Sequence, residues 1–450
     1  MSLTDPAAAA ALPGTAEAAP ATPLGRLVPA LMLSQVGNYI ALLTPLQLLL
    51  TLRLSELASG TAATSAFGIV TGFGALFALV FNPIGGRISD LTTARFGRRR
   101  TWILFGALAG AAALVALAFA TAIWQIVVLW CATQALFNFQ SAATTATIAD
   151  QVPAKRRGGV SGLMGFTIAA GPLLGLGIAN TQKAGSHNQW LIIAGIAAVL
   201  GIVAVVLIKE HRQPPRNEGF GWAGIGQTFW RNPARYPAFA WAWLVRFLIT
   251  CAYASSTYNA FYLIQRFHES TDEVGGVVLT LSLISVVLLA VASVVGGYIS
   301  DAIKRQKPFV VVAGVIAAIG LLLMAFAPSI AFVYVATALT GLGTGIFFAI
   351  DLAMCVRVLP NSEDAGKDLA IINMANSLPQ SIVPFIAPVL LAIGGYTAFF
   401  AFLAVLGVAG AIAVAFVPEV GKENAGGIFA APLHRPKTPT AAASSPRLAD

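Results

Sequence analysis

Apolar runs of about 18 to 25 residues recur along nearly the whole chain, and each is long enough to cross about 30 Å of hydrocarbon as a helix. Twelve are counted, at approximately 27–50, 64–88, 101–121, 124–149, 160–181, 188–208, 236–264, 274–299, 308–327, 330–356, 368–393 and 396–417. A soluble domain carries about 25% charged residues. Here 10% of residues are charged against 57% hydrophobic, which excludes an ordinary cytosolic protein and makes the lipid bilayer its solvent. The net charge of +9 does not indicate nucleic acid, because the 27 Lys and Arg sit in short clusters between the apolar runs rather than along one face. Cys131, Cys251 and Cys355 all fall inside apolar spans far apart in sequence. They form neither a disulfide framework nor a metal-type spacing, and no cofactor is expected.

The clusters set topology. With both termini inside, every Lys and Arg falls on the cytoplasmic side except Arg53, Lys183 and Arg266 outside and Arg246 within span seven, as the positive-inside rule requires. Residues 1–24 are rich in Ala and Pro, without a basic n-region or cleavage motif, and read as a disordered cytoplasmic lead; 419–450 read as a similar tail. Residues 209–235 form a polar cytoplasmic segment with Pro214, Pro215 and Pro233, and its apolar patch from Phe220 to Trp230 is expected along the membrane surface. The expected location is the cell (inner) membrane.

An internal echo divides the chain. GGRISD at 85–90 returns as GGYISD at 296–301, an offset of 211, and ADQVP at 149–153 is echoed by VRVLP at 356–360, an offset of 207. Each hexapeptide ends an outside-to-inside span and precedes a basic loop, so the halves are parallel six-helix repeats, 25–208 and 236–418.

At these residues the chain resembles the major facilitator superfamily. The signature loop after the second span reads Gly86, Asp90, Arg95, Phe96, Gly97, Arg98, Arg99, Arg100, with Leu91 where the family usually has a basic residue. Its longer form, NPIGGRISDLTTARFGRRRTWIL, looks like the loop of sucrose-type and glycoside-pentoside-hexuronide transporters, whereas ADQVPAKRRGG does not match the glycoside-type pattern. The resemblance implies an all-α membrane protein of twelve transmembrane helices in two pseudo-symmetric six-helix bundles, around a cavity that opens alternately to either side. It implies that the fold works as a monomer, and that Asp90 and Asp150 engage Arg98 or Arg99 as a gate latch, with Gly297 and Asp301 as the second-half counterparts. Such charge-assisted bonds hold two helix ends together in one state. The rival reading is that the arginines only direct topology.

A charge at the middle of a span costs at least about 2.5 kcal/mol, so it faces a wet cavity or a partner. Two residues qualify, Arg246 in span seven and Asp351 in span ten. They lie roughly 14 Å and 9 Å of helix from the cytoplasmic side at about 1.5 Å per residue. The resemblance places spans one, four, seven and ten around the cavity, so the two are expected to pair. A carboxylate beside a guanidinium stays ionised, whereas one left alone in low dielectric takes a proton. A solute that draws Arg246 away would therefore couple transport to H⁺ at Asp351. The alternative is a structural ion pair that never titrates.

Polar residues share these faces. Arg246, Thr250, Tyr253 and Thr257 follow an i, i+4, i+7, i+11 pattern, as do Thr340, Thr344, Phe347 and Asp351, and Gln134, Asn138, Ser141 and Thr145. With Gln35, Asn38 and Tyr39 in span one, and Tyr258, Asn259 and Tyr262 in span seven, they are candidate solute contacts. Carboxamides also join helices to one another. Asn373, Asn376 and Gln380 share a face of span eleven, which Pro379, Pro384 and Pro388 interrupt. Gly171, Pro172 and Gly175 give a GPxxG fragment like that of the superfamily's antiporters, with Thr167 and Leu176 where further glycines are expected.

The function expected is secondary active transport of a small polar organic solute, a sugar or glycoside foremost, coupled to H⁺ or alternatively Na⁺. The second reading is proton-antiport efflux of drugs or metabolites. No GxxxxGK(S/T) phosphate loop supports ATP-driven transport. The four histidines, His187, His211, His268 and His434, lie in predicted loops or tails, so an enzyme is not expected.

Overall fold

The computed structural model describes residues 22–210, 233, 235–303, 306–358 and 365–417. Residues 1–21 of the expected lead, the tail, the surface patch from Phe220 to Trp230, the loop residues Lys304 and Arg305, and the side chains of Asp301, Arg357 and Lys367 lie outside the described residues. The end of that lead is ordered rather than disordered, because Thr22 is buried and bonded to Lys209 and Leu24 begins the first helix.

The described residues are helical apart from short loops and turns, with no strand among them. The spanning helices are α1 Leu24–Leu57, α2 Gly60–Leu91, α3 Arg98–Ala118, α4 Ile123–Gln151, α5 Ala154–Ala179, α6 His187–Leu207, α7 Pro237–Phe267, α8 Thr271–Ile303, α9 Lys307–Ala325 and α10 Ile330–Arg357. A last helical stretch, Ala365–Ala413, turns at Gly394 and Gly395, where Gly395 takes φ 61, ψ −156. That region is open essentially to glycine alone. The stretch is therefore two spans, α11 (365–393) and α12 (396–413), and the chain is an integral multi-pass membrane protein.

Two spans expected as continuous are not regular. In α1 the turn Pro45–Leu49 widens to a π-helix, as fits a proline that has no N–H to donate. In α7 the segment Ala254–Tyr258 tightens to a 3₁₀ turn. These two irregular turns pack against each other across the halves.

The duplication in sequence is a duplication in packing. α2 packs on α4 as α8 does on α10, and α3 packs on α4 as α9 does on α10. Between the halves, α2 meets α11 and α5 meets α8. The cross-half bonds cluster away from the face carrying Arg98–Arg100, Lys155–Arg157 and Lys307, which we term the basic face. Asn180 donates to the Gly275 carbonyl at 2.9 Å, Gln265 to the Gly60 carbonyl at 3.1 Å, and Ser282 to Gln47 Oε1 at 3.0 Å. Phe67 of α2 packs edge-on against Tyr258 and Phe261 of α7. Gly68 lies so close to Pro384 and Pro388 that a Cβ would fall 2.5 Å from the Pro384 carbonyl. Toward the basic face the halves part. Gly158, Gly159, Gly162 and Gly165 of α5 have open space where a Cβ would stand, and Asn373, Ser377 and Gln380 of α11 are exposed.

Candidate functional site

The signature loop assembles around two buried arginines. Gly97, at φ 111, ends the loop and starts α3. Arg99 then spreads its guanidinium over three acceptors: Nε donates to Asp150 Oδ2 at 2.8 Å, Nη1 to Ser89 Oγ at 2.5 Å, and Nη2 to Asp90 Oδ1. Arg98 reaches the same Asp150 oxygen at 2.8 Å. The ends of α2, α3 and α4 are thus tied within one half by charge-assisted bonds. Sequence reasoning missed Glu210. Its carboxylate accepts the backbone N–H groups of Arg99 at 2.9 Å and Arg100 at 3.1 Å, and lies 4.0 Å from Arg98 Nε. A negative group over open N–H donors at a helix start is favourable. A Cβ on Gly97 would collide with Glu210, so glycine is needed there for room as well as for its φ. The only signal in sequence was a lone acid just after the sixth span. A Cβ at Gly86 would stand in open space and one at Gly297 would meet only Ala349, at 3.8 Å; the tight approach is at Gly85, where a Cβ would stand 2.6 Å from the ring of Phe139.

Arg246 Nη1 of α7 and Asp351 Oδ2 of α10 form an ion pair, with 7% and 1% of each residue exposed. Cys355, one turn beyond Asp351, donates its thiol to Oδ1 at 3.6 Å. On the same face of α7 Thr250 is buried, and the ring of Tyr253 packs near Phe347 and Phe348 of α10. The pair therefore sits in the wall of the second half, held by packing between α7 and α10.

The expected carboxamides divide. Asn38 is buried and donates to the Phe137 carbonyl at 2.6 Å, tying α1 to α4. Gln35 is also buried, and its Oε1 has no partner among the described residues. Gln134 is buried, and its carbonyl accepts Asn138 Nδ2 at 2.8 Å. Asn138 Oδ1 in turn accepts Asn82 Nδ2 at 3.1 Å, and Asn82, exposed on α2, is a residue the sequence reading passed over. Asn259 is buried just past the 3₁₀ turn, and its Oδ1 has no partner among the described residues. The tyrosines serve packing in this conformation, because a buried phenol must find an acceptor. Tyr258 donates to the Pro384 carbonyl at 3.2 Å within the cross-half seal. Tyr262 donates to Met324 O at 2.5 Å among the rings of Tyr396 and Phe400. The glycines of the GPxxG fragment press α5 onto α1, Gly171 against Tyr39 and Gly175 against Thr44.

The family model described as Major Facilitator Superfamily matches residues 27–291 and again 271–449. The class H tetracycline resistance protein of Pasteurella multocida is 26% identical over 164 residues, 36% of this chain; the match spans 39% of that relative's length. A D-xylose-proton symporter superposes with a TM-score of 0.66 at 18% identity, covering 88% of this chain and 97% of its own. A bacterial homologue of the human lysosomal transporter Spinster, in an inward-facing and unoccupied conformation, gives 0.61 at 15% identity, covering 87% and 96%. Matched in both halves by one family model, the chain belongs to the major facilitator superfamily.

Proposed function

We propose that this protein is a transporter that takes up a small polar organic solute, a sugar or glycoside, by alternating access coupled to H⁺. The observation that carries the reading is the buried pair of Arg246 and Asp351 in the wall of the half that parts from its partner at the basic face. Paired, the two charges compensate each other in a low-dielectric wall. When a solute hydroxyl or oxyanion takes over the guanidinium, the abandoned carboxylate gains stability by binding a proton. Solute and proton then load together, which is symport. Asn138, Gln134, Gln35, Asn38, Thr250 and Asn259 supply donors and acceptors, with Tyr258 and Tyr262 joining only if the seal between the halves opens. The basic face is cytoplasmic under the positive-inside rule, so both termini lie inside, in the cell (inner) membrane, and the conformation described is sealed outward and open inward. Asp90, Arg98, Arg99 and Asp150, with Gly86 and Gly97, work as the gate latch, and Gly297 and Asp301 are its counterparts in the second half. The carrier is a monomer. That a D-xylose-proton symporter shares the fold is in keeping with this reading.

A second reading, proton-antiport efflux, is favoured by the tetracycline resistance relative. Reconstitution separates the two. Purified protein in liposomes holding a pH dye is offered pooled sugars, organic acids or cationic drugs outside, with Asp351→Asn as control. Lumenal acidification on adding sugars, lost in the variant, is the expected result. Lumenal alkalinisation with drugs replaces the proposal by antiport, and sugar accumulation that needs a Na⁺ gradient replaces only the coupling ion.

A further inference from the structure

Asn82 is an ionisation-free polar side chain exposed within a span, and helical geometry shows what it is exposed to. On α2 the exposed apolar row Ile69, Phe73, Leu76 and Val80 marks the lipid side. At roughly 100° per residue, Asn82 points roughly 150° away from that row. One flank of its face packs on α4, where Gly85 meets Phe139, and the other packs on α11, where Gly68 meets Pro384 and Pro388. Asn82 is thus exposed between α4 and α11, into the gap where the halves part. Across the gap, α11 continues the row of Pro384 and Pro388 as Gln380, Ser377 and Asn373, all exposed.

The carboxamide is also oriented. Asn138 donates Nδ2 to the Gln134 carbonyl, which turns Oδ1 toward α2, and Asn82 donates one N–H to that oxygen. What Asn82 has left is one N–H and its own Oδ1, a donor and an acceptor side by side. The residues adjoining the two asparagines brace them from behind: Phe81 packs edge-on against Phe139, and Phe139 stacks on Trp102 of α3 at 5.3 Å between centroids. A fixed donor and acceptor on a rigid backing match two neighbouring hydroxyls, one accepting and one donating. They offer little to an apolar cation.

Resting on the sugar reading above, we propose that Asn82, held in place by Asn138, is a specificity-determining contact for adjacent hydroxyl groups of the solute. The test uses the purified full chain, binding measured by thermal stabilisation with D-xylose, sucrose, methyl β-glucoside and, as the probe without hydroxyls, tetraphenylphosphonium. For the sugar that the wild type binds, Asn82→Ala is expected to weaken affinity about tenfold, the equivalent of one hydrogen bond of about 1.4 kcal/mol. A monodeoxy form of that sugar should lose about as much against the wild type and little more against the variant, the signature of a direct pair. Asn82→Leu, of similar volume, gives the same comparison if the alanine form does not fold. Unchanged sugar affinity in either folded variant, or a deoxy loss that adds in full to the variant's, overturns the contact and leaves the sugar reading standing. Binding of tetraphenylphosphonium with no sugar bound by the wild type overturns both.

Discussion

The carboxylate of Glu210 accepts the backbone N–H of Arg99 at 2.9 Å, although the two residues stand 111 positions apart. The end of the first half thereby closes on the start of α3, and Glu210 holds the segment that carries both latch arginines. Thr22 and Lys209 exchange hydrogen bonds of 2.8 Å beside it. Glu210→Ala is expected to cost about 1–2 kcal/mol through the lost cap, read as a lower thermal midpoint of the purified protein. Glu210→Gln keeps an acceptor and should lose less.

Arg99 serves Asp90, Ser89 and Asp150 through three different nitrogens. A lysine ammonium is a single point donor and cannot span them. Arg99→Lys is therefore expected to transport at a tenth or less of the wild-type rate while its abundance in the membrane is kept; wild-type flux in the lysine variant would mean that charge alone suffices.

Removing one partner of a buried ion pair costs about 3–5 kcal/mol, whereas replacing both by apolar groups is near neutral. Arg246→Met should accordingly destabilise the protein strongly, and adding Asp351→Leu should restore its thermal midpoint without restoring accumulation. In the wild type, symport requires uptake to fall as external pH rises. Asp351→Asn should abolish that dependence and retain solute exchange at equal concentrations.

Gly68 and Gly275 seat the halves together, the first on Pro384 and Pro388 and the second on the Asn180 carboxamide. Gly68→Ala or Gly275→Ala should loosen the seal. A single cysteine at Gln47 or Gln265 is expected to label faster with a maleimide from the face opposite the basic one. Unaltered labelling would show that the seal absorbs a methyl group.

Gly395 stands at φ 61, ψ −156 between α11 and α12. Gly395→Ala is expected to cost about 1–3 kcal/mol, seen as a drop in thermal midpoint with no change in solute affinity.

The sequence by itself determined the spans, the duplication and the ionisable pair. Hydrocarbon sets the length and hydropathy of each span, and a charge at mid-depth is too costly to stand without a partner. Arg246 and Asp351 could thus be matched before either helix was placed, by the cost of a lone charge, by similar depth and by a family resemblance that sets both spans around one cavity. Tertiary structure decided the rest, because helix-periodic polarity does not say which neighbour a polar face meets. Asn38, Gln134 and Asn138 look alike in sequence, yet Asn38 donates to the Phe137 carbonyl while Asn138 is turned toward Asn82, 56 residues away. Tyr258 and Tyr262 sit where solute contacts were expected, and packing engages both hydroxyls with backbone carbonyls. Glu210 carried no pattern at all; only the return of the chain to α3 makes it a cap. The irregular turns of α1 and α7 meet across the halves, a relation no single span encodes.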